Sequence, residues 1–571
     1  MKKLLPFLIL TLVTLGVYAP ALRNGFVWDD TALVLRDPFI RSWRLIPAGF
    51  EHFLFTDATA SNFYRPVQRL TYTLDYALAG FHPAIYHFTS IICHALAAAA
   101  LLLFARELLR AFDIEERRAH RVALLGSLAW AVHPLHTGAV AYVSGRADSL
   151  CALFGFAALY AGLLSRRATA RNAFALTALA ALLLLLSLLS KEAGVVFVAA
   201  WLVIAAIRKN RAMMLRAAAV VAVVSVSYTV LRACAMHTPP PEGQTAPLVV
   251  RLLLMLRAVA EYAGLIIAPV RLHMERDVET HPFGLSPESM NMAATRELQT
   301  LAGLLIAAAF LYWLVRQWSR DRVAFTFLVL AVIAYLPVSG VVPLNASVAE
   351  HWIYLPSALL FVGAAYVVIR FLSVRRSYAP AFVVLASVWL IFLAGRTFVR
   401  TFDWKDQRTF LERTIASGGD SARMLINLGA LEMHEGRLDV ARHHLERALQ
   451  KEPNQPLAVI NLAAVSVKQN DFASARALLQ RATAMPLVAA QAHELLAVLE
   501  SRETGNANLL RMRLASRTGP PNWQIEKRYI QLLDEFGRTD AAIEELKRCL
   551  ETQWYRSDSW RLLSELLTKA S

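Results

Sequence analysis

Two adjacent carboxylates, Asp29 and Asp30, close the stretch Asn24-Gly25-Phe26-Val27-Trp28-Asp29-Asp30. The stretch follows an apolar run, Leu4 to Leu22, just long enough to cross a bilayer. Both carboxylates are therefore expected at a membrane surface, on the face opposite Lys2 and Lys3. Charge in that position costs free energy unless it meets water, a partner or a substrate. The plain reading is a helix end meeting water. The chemical readings are a substrate-facing acid or a divalent cation shared by Asp29 and Asp30.

Further polar groups follow at the ends of later apolar runs. They are Asp37 with Tyr64-Arg65-Pro66 in the first loop, His133-Pro134-Leu135-His136-Thr137-Gly138 with Gly145-Arg146-Ala147-Asp148 in the second turn, Lys191-Glu192, Asp277, and Ala349-Glu350-His351 through Pro356. Each has a plain explanation: a helix cap at His133, a local Arg146–Asp148 pair, a surface Lys191–Glu192 pair. Five such groups on one face point instead to a cavity, since ionisable groups at membrane depth usually line one. Glu350-His351 lacks the flanking histidines of HExxH, which argues against a zinc hydrolase. His133 and His136 are three apart, but Pro134 between them breaks the helix a ligand pair would need. Four scattered cysteines support neither a disulfide framework nor a zinc site.

The elements that must position these groups are membrane helices. With 57% hydrophobic residues in 571 and a mean hydropathy of +0.43, the chain reads as an integral, polytopic membrane protein. The net charge of +16 does not signal nucleic acid. In the first 400 residues Lys and Arg sit mostly in short clusters between apolar runs, as topology requires. Apolar runs fall near 4–22, 84–109, 121–137, 146–165, 172–189, 194–207, 214–235, 250–269, 298–315, 323–343, 352–369 and 379–395. The first is expected to be a retained signal anchor. The run 250–269 carries Arg251, Arg257 and Glu261, which suit a helix lying along the surface. That leaves about eleven spans, the N-terminus inside, and every polar group above on the outer face.

Beyond Asp403 a 34-residue period appears. Leu428-Gly429, Ala441, Leu445 and Ala448 recur as Leu462-Ala463, Ala475, Leu479 and Ala482. These are the packing positions of tetratricopeptide helix pairs, which stack into a surface suited to partner proteins. The stretch 490–522 is degenerate in this register, and the pattern returns with Gly537, Ala542 and Leu546. The expected fold is all-α: a membrane domain over 1–402 and an extracytoplasmic repeat solenoid over 403–571.

Taken together and in order, Phe26-Val27-Trp28-Asp29-Asp30, Tyr64-Arg65-Pro66, His133 to Thr137, Gly145 to Asp148, Ser190-Lys191-Glu192 and Ala349 to Pro356 resemble the TMTC family. These are transmembrane, tetratricopeptide-containing protein O-mannosyltransferases of the GT-C class. The resemblance covers nearly the whole chain. Gly138 departs from it, standing where the family has a glutamate, and so does His351, standing where it has an arginine. Only about four repeats are present. The resemblance implies transfer of mannose or another hexose from a polyprenyl-phosphate-linked donor to a hydroxyl of a protein acceptor recruited by the repeats. It also implies a bacterial member in an inner membrane, with the active site on the periplasmic or extracytoplasmic face. A weakly nucleophilic hydroxyl needs a positioned base, expected in Asp29 with Asp30 orienting it. The leaving phosphate needs fixed positive charge, expected from Arg65, Arg146 and Lys191 with His133 and His136. Tyr64, Asp148, Glu192, Glu350 and His351 would shape the pocket. No cofactor is assigned; a divalent cation at Asp29 and Asp30 stays open. Two rivals are a ligase moving a whole lipid-linked glycan, which does not need the Asp-Asp pair, and a non-enzymatic scaffold, which tolerates loss of the outer polar groups.

Overall fold

A computed structural model describes residues 4–55, 63–235, 246–280, 287–342, 344 and 346–570. Lys2 and Lys3 lie outside the described residues. The chain is helical almost throughout, and among the described residues the one sheet is a two-stranded antiparallel pair that sets Glu275 opposite Ala349 and Arg276 opposite Val348. The residues divide into two compact units: 4–31, 63–235 and 246–419 in one, 32–55 and 420–570 in the other. The first unit thus runs to Gly419, past the boundary expected at 402, and the loop beginning at Ala32 goes with the repeats.

Among the described residues, eight helices in the first unit are long and apolar enough to cross a membrane: Leu5–Arg23, Pro83–Ala111, Arg146–Leu164, Ala170–Ser190, Arg211–Cys234, Ser289–Arg320, Glu350–Val374 and Arg376–Trp404. The three remaining expected spans form shorter helices, Glu116–Ala131, Val195–Ile207 and Arg322–Tyr335. Two of them stop for an identifiable reason. Pro134 and Pro337 lack an N–H and disfavour helical geometry in the residue before them, so each apolar run breaks into a short turn.

Pro83–Ala111 packs against Arg146–Leu164 and Glu116–Ala131 through small residues such as Ala97, Ala98 and Ala105, all buried. Between membrane helices packing depends on such close approach, because hydrocarbon outside removes the hydrophobic drive. The basic clusters meet at one end of these helices. Arg110 and Arg167 both approach Glu107, Arg208 lies over Phe112 at 5.0 Å, and Arg216 donates to the Ser165 carbonyl at 3.1 Å. The polar groups discussed below lie at the other end. Leu248–Ile267 turns its charges to neighbours: Arg257 pairs with Glu297 at 3.0 Å and Glu261 with Arg276 at 2.6 Å.

Over 422–570 the second unit holds four helix pairs and a closing helix, Ser557–Ala570. An added Cβ at Gly429 would lie 2.8 Å from Leu445 Cγ, so glycine permits the close crossing of the first pair. The degenerate stretch 490–522 also forms a pair, Ala489–Thr504 and Leu509–Arg517. Its first helix keeps the 34-residue register at Leu496-Ala497. Gly505, left-handed at φ 74°, ends that helix late, and the second helix buries Met512 and Ala515 instead of the in-register positions. From the first loop, Phe39 stacks on Tyr555 with ring centroids 4.3 Å apart, and His52 meets the same ring at 5.3 Å. Asp37 caps the short turn at Phe39, accepting its N–H at 2.9 Å.

Candidate active site

The Asp-Asp pair lies on a strained turn. Trp28 has φ 52°, a left-handed conformation that bulky residues rarely adopt. Strain of this kind, of order 1–3 kcal/mol, persists only where the surroundings over-determine it. Here Gln407 Oε1 accepts the Trp28 N–H at 2.6 Å. The Trp28 indole packs on Tyr142 and Phe410, at centroid distances of 6.2 and 5.5 Å, and buried Trp404 stacks on both of those rings. Gly25 N–H to Lys405 O at 2.8 Å and Asn24 Nδ2 to Thr401 O at 3.0 Å clamp the start of the turn.

The turn sends the two carboxylates different ways. Asp30 is fully buried; its Oδ1 accepts the Ser144 N–H at 2.8 Å and its Oδ2 the Val27 N–H at 3.1 Å. Burial pushes this carboxyl up to about 8, with the backbone N–H groups opposing and the Asp29 charge adding to the rise. Asp29 is half-buried. Its N–H donates to the Tyr142 hydroxyl at 3.3 Å, and the Asp29 carboxylate lies close enough to act on that hydroxyl. Burial, then the charges of Asp29 and Asp30, hold the phenol well above its ordinary range, so Tyr142 stays protonated and able to donate.

The turn 142–146 is fixed in its own right. An added Cβ at Gly145 would fall 1.9 Å from the Gly138 carbonyl oxygen, so only glycine lets these segments meet. Gln68 donates to the Ser144 carbonyl and to the Tyr72 hydroxyl, each at 2.7 Å, and Tyr72 donates to the Val143 carbonyl at 3.0 Å. Gln68 and Tyr72 lie on the helix Pro66–Ala79, which starts immediately after Arg65.

Around Arg65 two ion pairs stand side by side. Arg65 Nε donates to Glu192 Oε2 at 2.9 Å, and the Tyr64 N–H donates to Glu192 Oε1 at 3.0 Å. Lys191 Nζ spans both oxygens of Asp148 at 2.6 and 2.7 Å. The Arg65 and Lys191 side chains keep 13% and 15% of their surface exposed. Arg232 approaches Glu192 at 4.0 Å, Tyr228 accepts from Arg232 at 3.3 Å, and Arg65, Lys191 and Asp148 lie within electrostatic reach of His351.

Four expected site residues are instead bound into the protein interior. Arg146 is fully buried, ion-paired with Asp75 at 2.6 Å, and donates to Ser90, Thr71 and the Tyr86 carbonyl. All three of its nitrogens are engaged inside the protein, and none reaches a surface open to a phosphate. His133 meets the Ile266 carbonyl with Nε2 at 3.0 Å and caps Leu135 with Nδ1. His136 meets the Trp130 carbonyl at 2.7 Å and Ser357 Oγ at 3.0 Å. Glu350 is buried, accepting the His273 N–H at 2.6 Å and facing Arg400 at 3.3 Å. These residues hold segments together. The shared-cation reading also fails on its donor set. Both oxygens of Asp30 already face backbone N–H groups, whose positive ends oppose a cation. Among the described residues, no three His, Cys, Asp or Glu side chains converge.

Residues 142–144 and 401–410 escaped the sequence reading although they hold the Asp-Asp turn. A hydroxyl-bearing aromatic between two polar motifs was the available signal for Tyr142. Nothing local marked Gln407, which lies 379 residues from its partner Trp28.

Comparison with known proteins finds relatives along most of the chain. A tetratricopeptide-repeat family model matches residues 432–499. A Caenorhabditis elegans protein O-mannosyl-transferase is 25% identical over 461 residues, covering 78% of this chain and 63% of its own length. Human protein O-mannosyl-transferase TMTC3 is 22% identical, covering 79% of this chain and 52% of its own length. Mouse TMTC4 is 33% identical over 157 residues, 26% of this chain and 21% of its own. The chain therefore spans less than two thirds of the length of these relatives. The crystal structure of the Archaeoglobus fulgidus oligosaccharyltransferase superposes with a TM-score of 0.40 at 14% identity, over 70% of this chain and 56% of the other, too loosely to bear on the assignment. Over most of its length the chain is thus similar to protein O-mannosyl-transferases, TMTC3 among them, and it joins apolar helices to tetratricopeptide repeats.

Proposed function

We propose that this protein is a membrane glycosyltransferase that moves mannose or another hexose from a polyprenyl-phosphate-linked donor to a hydroxyl of a protein acceptor. The observation that carries the reading is the division of labour between Asp29 and Asp30. One carboxylate is locked inside by two N–H groups; the other is half-buried just beyond a candidate span, on a residue whose N–H donates to Tyr142. In this reading the Asp29 carboxylate takes the proton of the acceptor hydroxyl as its oxygen bonds to the sugar's anomeric carbon. The bond from that carbon to the phosphate oxygen breaks, and the electron pair leaves with the lipid phosphate. Arg65 and Lys191, with Arg232 beside them, supply the positive charge that receives it. The names carried by the relatives support the same reaction class. The extracytoplasmic placement of the site and of the repeats, and recruitment of acceptor by the repeats, belong to the same proposal.

The test is Asp29→Asn in the full-length protein, purified in detergent and assayed with polyprenyl-phosphate hexoses and acceptor protein. Transfer should fall by at least about a hundredfold, the usual scale for a lost general base, while the melting temperature holds. Near-normal transfer by this variant would remove Asp29 as the base.

A further inference from the structure

The proposed reaction leaves one group beside the base unused. Tyr142 is buried, yet its hydroxyl accepts the Asp29 N–H at 3.3 Å and lies beside the Asp29 carboxylate. Its ring is the middle of a stack, with Trp28 on it at 6.2 Å and Trp404 at 5.3 Å. The backbone that follows the ring is fixed as well: Val143 O accepts from Tyr72, and Ser144 N–H donates to Asp30. The phenol therefore has little freedom to follow Asp29. Asp29 must come to it.

We infer that Tyr142 is a positioning residue for Asp29: its hydroxyl fixes the carboxylate's direction and favours its ionised form. This rests on the proposed role of Asp29 as base. A side chain on a strained turn has several directions open to it, and a base works only within hydrogen-bond reach of the proton it takes. A donor aimed at a carboxylate also stabilises the charged form relative to the neutral one. Loss of a hydrogen bond to a charged group corresponds to a shift of about one to two pH units.

The experiment compares the wild type with Tyr142→Phe, which keeps the ring stack and removes only the hydroxyl. Both are full-length and purified, with melting temperature checked. The expected result is a tenfold or greater fall in kcat with donor KM within twofold of wild type. The acid limb of the pH–rate profile should move up by about one unit. A kcat and a profile both unchanged, or a change confined to KM, would overturn the inference. A second measurement does not depend on transfer activity. Carbodiimide coupling of a labelled amine proceeds through the protonated carboxyl, so its yield at Asp29, read by peptide mass spectrometry against pH, reports ionisation. The coupling midpoint should lie about one unit higher in Tyr142→Phe, and equal midpoints sink the inference even if no sugar donor is accepted. Absence of transfer by the wild type, with the midpoint shifted, would discard the proposed reaction and keep the relation between Tyr142 and Asp29.

Discussion

The Arg146 guanidinium meets the Asp75 carboxylate at 2.6 Å with both side chains essentially out of water. The pair ties the start of the helix Arg146–Leu164 to the helix Pro66–Ala79, and so fixes the turn that holds Asp30. Removing one partner of a buried pair leaves an uncompensated charge and costs roughly 3–5 kcal/mol, whereas replacing both by apolar groups is often nearly neutral. Asp75→Leu or Arg146→Met alone should sharply lower the melting temperature in detergent. The double variant should recover most of the loss. Additive losses would mean that each residue acts through other contacts.

Asp30 sets a pH dependence of stability. Its folded-state carboxyl is raised to about 8, above the ordinary carboxylate range. In the unfolded chain the group ionises near its ordinary value, so the folded state holds the extra proton between roughly pH 4 and 8. This contribution is fully present below that window and is lost as pH rises through about 8. Melting temperature should therefore fall from pH 5 to pH 8.5, and the fall should be shallower in Asp30→Asn. Parallel curves for the two proteins would show that other groups set the slope.

Gln407 offers a way to loosen the strained turn without touching a carboxylate. Its carbonyl oxygen accepts the Trp28 N–H at 2.6 Å. Gln407→Leu takes away that partner and leaves the left-handed Trp28 to the ring stack alone, so transfer should drop about tenfold. Gln407→Glu keeps an acceptor oxygen and should retain most activity. Equal losses in both would point to the surrounding fold rather than to this bond.

The sequence made most of the helices legible, because membrane helices and repeats both announce themselves through apolar periodicity. It was less informative about where helices stop, as Pro134 and Pro337 show. Within the candidate site it named Asp29, Asp30, Arg65, Lys191 and Glu192, residues whose charge is conspicuous beside apolar runs. It also drew in Arg146, His133, His136 and Glu350, since buried and substrate-facing polar groups look alike in one dimension. Gln407 was invisible and Tyr142 only faintly marked for the opposite reason: they matter through long-range bonds to the turn at Trp28 and Asp29.

In the repeat unit, the ring of Tyr555 covers Phe39 at 4.3 Å and His52 at 5.3 Å. Phe39, Ile40 and Leu54 of the same loop are buried. Tyr555→Ala should free this loop, and limited proteolysis of the full-length protein should then cut within 32–55 faster than in the wild type. An unchanged cleavage rate would show that the loop is held by its other contacts. The same geometry warns against deleting 420–571 to isolate the membrane unit, since that would uncover the loop's apolar residues.

The two ion pairs proposed to receive the donor phosphate differ in what their loss exposes. Lys191 grips Asp148 through both oxygens, and Asp148 is nearly buried, so Lys191→Met leaves a buried charge unpaired and should destabilise the protein as well as impair it. Arg65 differs, because Glu192 keeps 32% of its surface exposed and can be solvated when its partner goes. Arg65 variants are therefore the cleaner probe. Arg65→Gln removes the charge and should raise donor KM by roughly ten- to a hundredfold, the scale of a lost charge-assisted hydrogen bond of about 1.5–3 kcal/mol. Arg65→Lys restores charge but not the planar fork that reaches Glu192 and a phosphate together, so it should recover only part of the loss. If donor KM is unchanged in Arg65→Gln while acceptor KM rises, the cluster meets the acceptor, and the phosphate must be received by other cations.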